Sequence, residues 1–299
     1  AYPEKPVKVV VAYGAGGSND ILARITAKFL EQKLGQPFVV ENRAGSGGDV
    51  GFTAIAKAAP DGYTIGITVV TPVIVNPITR PKVVRYRLDS FTPLCNMVSD
   101  PGIVCAASDG KFNTLADLIA AAKAAPEKIN ISHEGKGGGD HLGVIAFEKA
   151  SGIKLNGVPF KGDAAAKAAL MGGHIDAIAV NVSEVVEMVN EKQLRALAVE
   201  SAERVPELPD VPTFKELGFD VVQSSSRGFA APAGIPAEAR DTLVKAFNEL
   251  ANDPAYQAEL KKLNMPLDFM DAEGYSKFLH SQHDLWSKIW AEDPWLEQK

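Results

Sequence analysis

Three glycine-rich loops hold most of the side chains in this chain that are able to do chemistry. The first is Tyr13-Gly14-Ala15-Gly16-Gly17-Ser18-Asn19-Asp20. It follows the apolar run 7–12 and precedes Ile21, Leu22, Ile25, Phe29 and Leu30 at helical spacing. A strand-to-helix junction gathers unpaired backbone N–H groups and the positive end of the helix dipole at one point, which favours an anion. Glycines let a ligand come close to the backbone. The nucleotide motifs fail here. A G-x-G-x-x-G begun at Gly14 has Asn19 in its sixth position, and no Gly-Lys-Ser/Thr follows. A carboxylate or phosphate of a small ligand remains, against a plain tight turn. Asp20 would repel an anion, so capping or dipole stabilisation is its expected role.

The second loop, Arg43 to Asp49, resembles the first. It is not a nucleophile elbow, because Ala44 breaks G-x-S-x-G. The third runs from Ser132 to His141. Its two histidines, two acids and serine invite a metal or triad reading. The spacing is against both: H-E-x-x-H is absent, and His133 and His141 are eight apart with four glycines between. Lys136, with Gly137, Gly138 and His141, is read as a second anion site, against a solvated lysine. Lys161, Asn181 and Arg227 fall at strand ends, where open α/β sheets bind ligands. Arg227 suits a two-point grip on a carboxylate, against a surface ion pair. Ser18 and Thr71 supply hydroxyls.

The elements that position these loops follow from apolar patterning. Strands are expected at 7–12, 38–42 and 63–70, with helices at 21–34 and from Asp49 to about Ala59. Strand–helix alternation of this kind opens a mostly parallel α/β sheet. The pattern restarts with strands at 103–107, 128–132, 158–160, 175–180 and 194–199, and helices at 114–125, 140–150 and 163–171. Residues 203–212 carry three prolines and read as irregular, and 229–236 is again Pro/Gly-rich. Helices at 237–251, 254–263 and 272–291 form a tail too short for a domain. Trp286 and Trp290, four apart, read as a packing stripe.

The 299 residues suit two domains. A net charge of −6 without a basic cluster argues against nucleic acid. No apolar run approaches the roughly 18 residues of a membrane span. Cys95 and Cys105 alone make no zinc site, and both a disulfide and two buried thiols remain open. Ala1-Tyr2-Pro3 looks like a mature end left by a signal peptidase.

Taken in order, several short strings carry a family resemblance. They include Gly14 to Asp20, Leu34-Gly35-Gln36-Pro37, Glu41-Asn42-Arg43-Ala44-Gly45 and Ala59-Pro60-Asp61-Gly62-Tyr63-Thr64. Val158-Pro159-Phe160-Lys161-Gly162, Gly172-Gly173-His174-Ile175-Asp176, Leu208-Pro209-Asp210-Val211-Pro212-Thr213 and Ala231-Pro232-Ala233-Gly234-Ile235-Pro236 follow. The chain resembles the periplasmic solute-binding proteins of tripartite tricarboxylate transporters, the Bug or TctC type. The resemblance implies a two-lobed type II periplasmic binding protein, with two Rossmann-like α/β domains around a ligand cleft. Lobe 1 would take 1–102 plus 226–299, and lobe 2 would take 103–225. It further implies a monomer without cofactor or metal that captures a small organic acid and presents it to membrane permease subunits. The first loop, Tyr13 to Asn19, would hold one ligand carboxylate through backbone N–H groups.

Two departures bear on the ligand. Relatives usually carry Ser or Thr where Gly138 and Gly139 stand, and a small or apolar residue in place of Lys136. They often carry Asp where this chain has Val180. One fewer acid and one more cation shift the expectation from amino acids toward a di- or tricarboxylate. The rival readings are an enzyme acting on a small acid, which no fingerprint supports, and a ligand-sensing module.

Overall fold

A computed structural model describes residues 1–160 and 162–295. Along the chain run β1 (Val7–Val11), α1 (Ser18–Leu34), β2 (Phe38–Asn42), α2 (Asp49–Ala56), β3 (Thr64–Val69), α3 (Val70–Thr79) and β4 (Phe91–Ala107). Then come α4 (Leu115–Ala124), β5 (Asn130–His133), α5 (Gly139–Ser151), β6 (Asn156–Pro159), α6 (Asp163–Met171), β7 (Ala177–Asn181), α7 (Val182–Asn190) and β8 (Leu194–Val199). The chain closes with β9 (Ser224–Pro232), α8 (Ala237–Ala251), α9 (Pro254–Lys262), β10 (Leu267–Met270) and α10 (Ala272–Glu292). It divides into two compact units, Ala1–Ser99 with the chain from Ser226 onward, and Asp100–Ser225. Both passages between units fall inside strands, β4 and β9.

In the first unit β2, β1 and β3 are parallel neighbours, and β9 joins β3 antiparallel. β10 pairs antiparallel with β4. The C-terminal helices pack on this unit. Buried hydroxyl pairs join Thr26 to Tyr256 at 2.8 Å and Thr68 to Tyr275 at 2.6 Å. Lys33 reaches Glu249 at 2.9 Å. Trp286 and Trp290 both meet Trp295 edge-on, at 5.8 and 4.9 Å.

In the second unit β5 is parallel to β6 and β7, while β4 runs antiparallel to β7 and β8. The pleat sends alternate residues to opposite faces. Val104, Ala106, Ala177 and Ala179 enter one apolar cluster, and Ile103, Cys105, Ile178 and Val180 the other. Helices cover both faces, which is why these strands are apolar throughout.

Several elements depart from the sequence reading. Both units are mixed rather than mostly parallel, because β4 and β9 run against their neighbours. β4 begins twelve residues before the expected 103, where Pro93, Asn96, Ser99 and Asp100 hide the apolar pattern. Two of its polar groups find partners across the sheet: Asn96 Nδ2 donates to the Asp268 carbonyl at 2.8 Å, and Ser99 meets Ser226 at 3.0 Å. The run Ser224–Ser226 and the start of the Pro/Gly-rich stretch 229–236, as far as Pro232, form β9. α3, α7 and β10 were not anticipated. Cys95 and Cys105 are both free and fully buried, each in the core of a different unit. No helix among the described residues is long and apolar enough to cross a membrane.

Candidate functional site

The first unit builds its candidate residues at the carboxyl ends of its strands. β1 and β3 are in register with Val10 opposite Gly66, so Tyr13 falls level with Val69 three residues on. Val69 in turn pairs with Arg227 of β9. Thr71, buried in the first turn of α3, follows two residues later. Tyr13, Thr71 and Arg227 therefore share one edge of one sheet with the first glycine loop.

That loop is tied from below. Asp20, 3% exposed, accepts the Gly16 N–H at 2.9 Å. It also accepts Arg24 Nε at 3.0 Å and Asn42 Nδ2 at 2.9 Å. Asn42 Nδ2 donates as well to the Tyr13 carbonyl at 3.0 Å, so the end of β2 fixes the loop's start. Burial acts to raise the Asp20 carboxyl, but donation from Arg24, Gly16 and Asn42 outweighs it and holds the pKa below its ordinary value. Asp20 thus shapes the loop, with no side-chain cap on α1 itself. Gly16 needs its glycine, with φ at +86°. Residues Gly14 to Ser18 are exposed, and the first N–H groups of α1, as at any helix start, have no partner within the helix. The Oδ1 of Asn19 is buried without a hydrogen-bond partner.

Tyr13 links the first loop to the second. Its hydroxyl lies 2.9 Å from where a Cβ on Gly48 would stand, and its ring meets Phe52 edge-on at 6.2 Å. Burial pushes the phenol pKa up, Asp49 adds to this, and Arg227 opposes it. Asp49 is itself a hub: it accepts Asn76 at 2.9 Å and the Tyr86 hydroxyl at 2.6 Å, and pairs with Arg80 at 2.6 Å. The second loop is scaffolding for the first.

The second unit handles its glycine loop differently. Glu134 folds its carboxylate back over the start of α5, accepting the N–H groups of Asp140 at 2.9 Å and His141 at 3.3 Å. A Cβ on Gly138 would lie 2.1 Å from Glu134 Oε1. Glycine stands at this N-cap position because the chain's own carboxylate fills the space. Burial raises the Glu134 pKa, and burial with the neighbouring Glu134 pushes Asp140 up to about 10, so an acid pair of the chain itself stands at this helix start beside Lys136, Gly137, Gly138 and His141.

The two histidines are acceptors. His133 Nδ1 takes the Gly135 N–H and His141 Nδ1 the Gly137 N–H, both at 3.0 Å, with ring centroids 4.7 Å apart. Burial lowers both pKa values, and the neighbouring His133 and Lys136 help bring His141 down to about 4. Asn181 caps α7 reciprocally with Glu184, whose carboxylate accepts the Asn181 N–H at 2.8 Å. Lys161 lies outside the described residues. Two further acids stand at this edge: Glu134, which the sequence reading weighed only for a metal or triad, and the buried Glu200 directly after β8, which it passed over. The signal for Glu200 was an acid placed at a strand's carboxyl end. Among the described residues no group of three or more His, Cys, Asp or Glu is arranged to hold a metal ion.

Two α/β units with glycine loops at strand ends define a solute-binding class of fold, and comparison with known proteins agrees. The family described as "Tripartite tricarboxylate transporter family receptor" matches residues 22–293. A TctC solute-binding protein from Polaromonas superposes with a TM-score of 0.90 at 29% identity, covering 98% of this chain and 100% of the other. Protein BugT of Bordetella pertussis is 35% identical over 257 residues, 85% of this chain and 78% of its own. MatC from Rhodopseudomonas palustris, solved with bound malate, superposes with a TM-score of 0.75 at 25% identity over 96% and 99% of the two chains. The chain belongs to the TctC family of tripartite tricarboxylate transporter receptors. That is a family of binding receptors, and the two-lobed solute-binding fold expected from the sequence is the one found.

Proposed function

We propose that this chain captures a small organic acid in the periplasm and presents it to the permease subunits of a tripartite transporter, as a monomer with no chemistry of its own. A di- or tricarboxylate is favoured. One observation supports the reading: the exposed glycine loop that leads into α1 and Arg227 stand at one edge of one sheet. Backbone N–H groups and a guanidinium there suit a carboxylate. Residues Tyr13 to Asn19, Thr71 and Arg227 are assigned to this grip, with Lys136, Gly137, Gly138, His141, Lys161 and Asn181 on the second unit. Malate in a 25% identical relative supports an acid as ligand.

The test is a thermal-shift panel of mono-, di-, tricarboxylic and aromatic acids on protein unfolded and refolded to strip any carried ligand. At a hundredfold excess over Kd a ligand stabilises by about 2.7 kcal/mol. For a chain of this size that raises Tm by roughly 2 °C or more per kcal/mol. Shifts confined to related acids bear the proposal out; silence across the panel ends it.

A further inference from the structure

α3 serves two neighbours. Asn76, with Arg80 at the helix end, reaches Asp49. Val73, Ile74, Pro77 and Ile78 instead wall an open groove of about 440 Å³. Leu88 lines it from the short turn Leu88–Ser90, and His280 and His283 line it from α10. The His280 Nδ1–H donates to the Ser276 carbonyl at 2.7 Å, which holds that ring in place. Val73, Ile74 and Pro77 are buried, so the floor is apolar and formed. Sites that take small molecules span roughly 300–1,000 Å³ and combine such walls with a few placed polar groups. Every residue of this groove belongs to the first unit, and none belongs to the strand-end set Tyr13 to Asn19, Thr71 and Arg227.

The placed polar group is Arg87. Its Nη1 donates to the Val84 carbonyl at 3.1 Å and the Tyr86 carbonyl at 2.9 Å, and its Nη2 to the Pro81 carbonyl at 3.2 Å. These bonds fix the guanidinium without neutralising it, since each acceptor is a carbonyl. A guanidinium has five N–H groups, so Nε–H and one on Nη2 are left, enough for both oxygens of a carboxylate. The loop that Arg87 ties down also carries Lys82 and Arg85, both exposed and without a hydrogen bond or ion pair among the described residues. In a chain of net charge −6 this is a local excess of positive charge. Asp89 is the one acid lining the groove, and it opposes a second negative group there.

We propose that this groove is a second ligand site, for a monocarboxylate with an apolar body of the medium-chain fatty acid kind. The acid head meets Arg87, and the chain lies along α3 against Ile74, Ile78 and Leu88. One charge suits Arg87; a second meets Asp89 and an apolar wall. The site stands apart from the organic-acid reading above and holds whether or not the strand-end residues bind an acid.

Calorimetric titration of octanoate into the full chain, with and without excess malate, tests this. Octanoate is expected to bind equally in both, and more tightly than butyrate by about two- to fourfold per added methylene. Suberate has the same length and a second acid, and octylamine has the opposite charge. Both are expected to bind about tenfold or more weakly, because a second carboxylate has no partner in the groove and an ammonium meets Arg87. Arg87→Gln removes the fork, and Ile78→Glu sets a like charge in the wall; each is expected to weaken octanoate about tenfold or more. Ile78→Glu leaves the carbonyl bonds of Arg87 in place, so it decides the matter where Arg87→Gln fails to fold. Displacement of octanoate by malate overturns the proposal. So does suberate or octylamine binding as tightly as octanoate, or unchanged octanoate affinity in folded Ile78→Glu. Cosedimentation with phosphatidylglycerol vesicles, without binding of free octanoate, also overturns it and assigns Lys82 and Arg85 to a membrane surface.

Discussion

The carboxylate of Asp20 holds the N–H of Gly16 at 2.9 Å, four residues back along the chain, while Arg24 and Asn42 hold the carboxylate. An acid in the first turn of α1 thereby shapes the glycine loop that precedes its own helix.

Asp20→Asn is expected to lower the unfolding free energy at pH 7 by about 1.5–3 kcal/mol, the range for hydrogen bonds to a charged group. The folded pKa lies below the unfolded one, so the charge contributes stability above the unfolded value and loses it as pH falls through the folded value. Urea unfolding at pH 7 and at pH 3.5 checks this: the gap between wild type and variant narrows in acid.

Arg227→Gln is expected to weaken a bound dicarboxylate by about 10- to 100-fold, and Arg227→Lys by about tenfold, since lysine keeps the charge and loses the two-point geometry. Calorimetry with malate measures both, with circular dichroism confirming that β9 still pairs with β3.

Glu134 and position 138 are expected to be coupled. Glu134→Ala strips the cap from α5 and costs about 0.5–2 kcal/mol. Gly138→Ser pushes the Glu134 carboxylate out but sets a hydroxyl at the N-cap, so its net cost stays under about 1 kcal/mol. In the Gly138→Ser background, Glu134→Ala costs almost nothing. A double-mutant cycle reads the coupling directly; additive losses would show that Glu134 does not cap the helix.

His141 accepts from Gly137, so a proton on Nδ1 breaks that bond. Its folded pKa is about 4 against an ordinary 6.5. The unfolded chain protonates first, so stability is full above 6.5 and falls as pH drops toward 4, by on the order of 2 kcal/mol. His141→Asn flattens this stretch of the stability–pH curve, which denaturant titrations at half-unit intervals resolve.

The alternation of strands and helices over 7–69 and 128–199 was readable because each element there carries its own apolar period. β4 before residue 103, β9 and β10 were not, because polar groups in them find partners far along the chain: Asn96 Nδ2 the Asp268 carbonyl, Ser99 the Ser226 hydroxyl. α3 and α7 start within a residue of a strand's end, and the two apolar runs merge. At the candidate site, the first loop's place between strand and helix was legible from glycines and spacing alone. The role of Asn42 was not, since it depends on β2 lying beside β1. Nor was the occupation of the α5 start by Glu134, a consequence of how far one side chain folds back.

The two ends of the chain meet in the first unit. The Tyr2 N–H reaches Glu238 at 3.2 Å, and Thr26 and Thr68 find their hydroxyl partners in Tyr256 and Tyr275. While the chain is being made, Thr26 and Thr68 wait for partners more than two hundred positions away, whereas Asp100–Ser225 is one contiguous stretch. Contacts of such separation form slowly. The first unit therefore completes its core only after the ribosome has released the last helices.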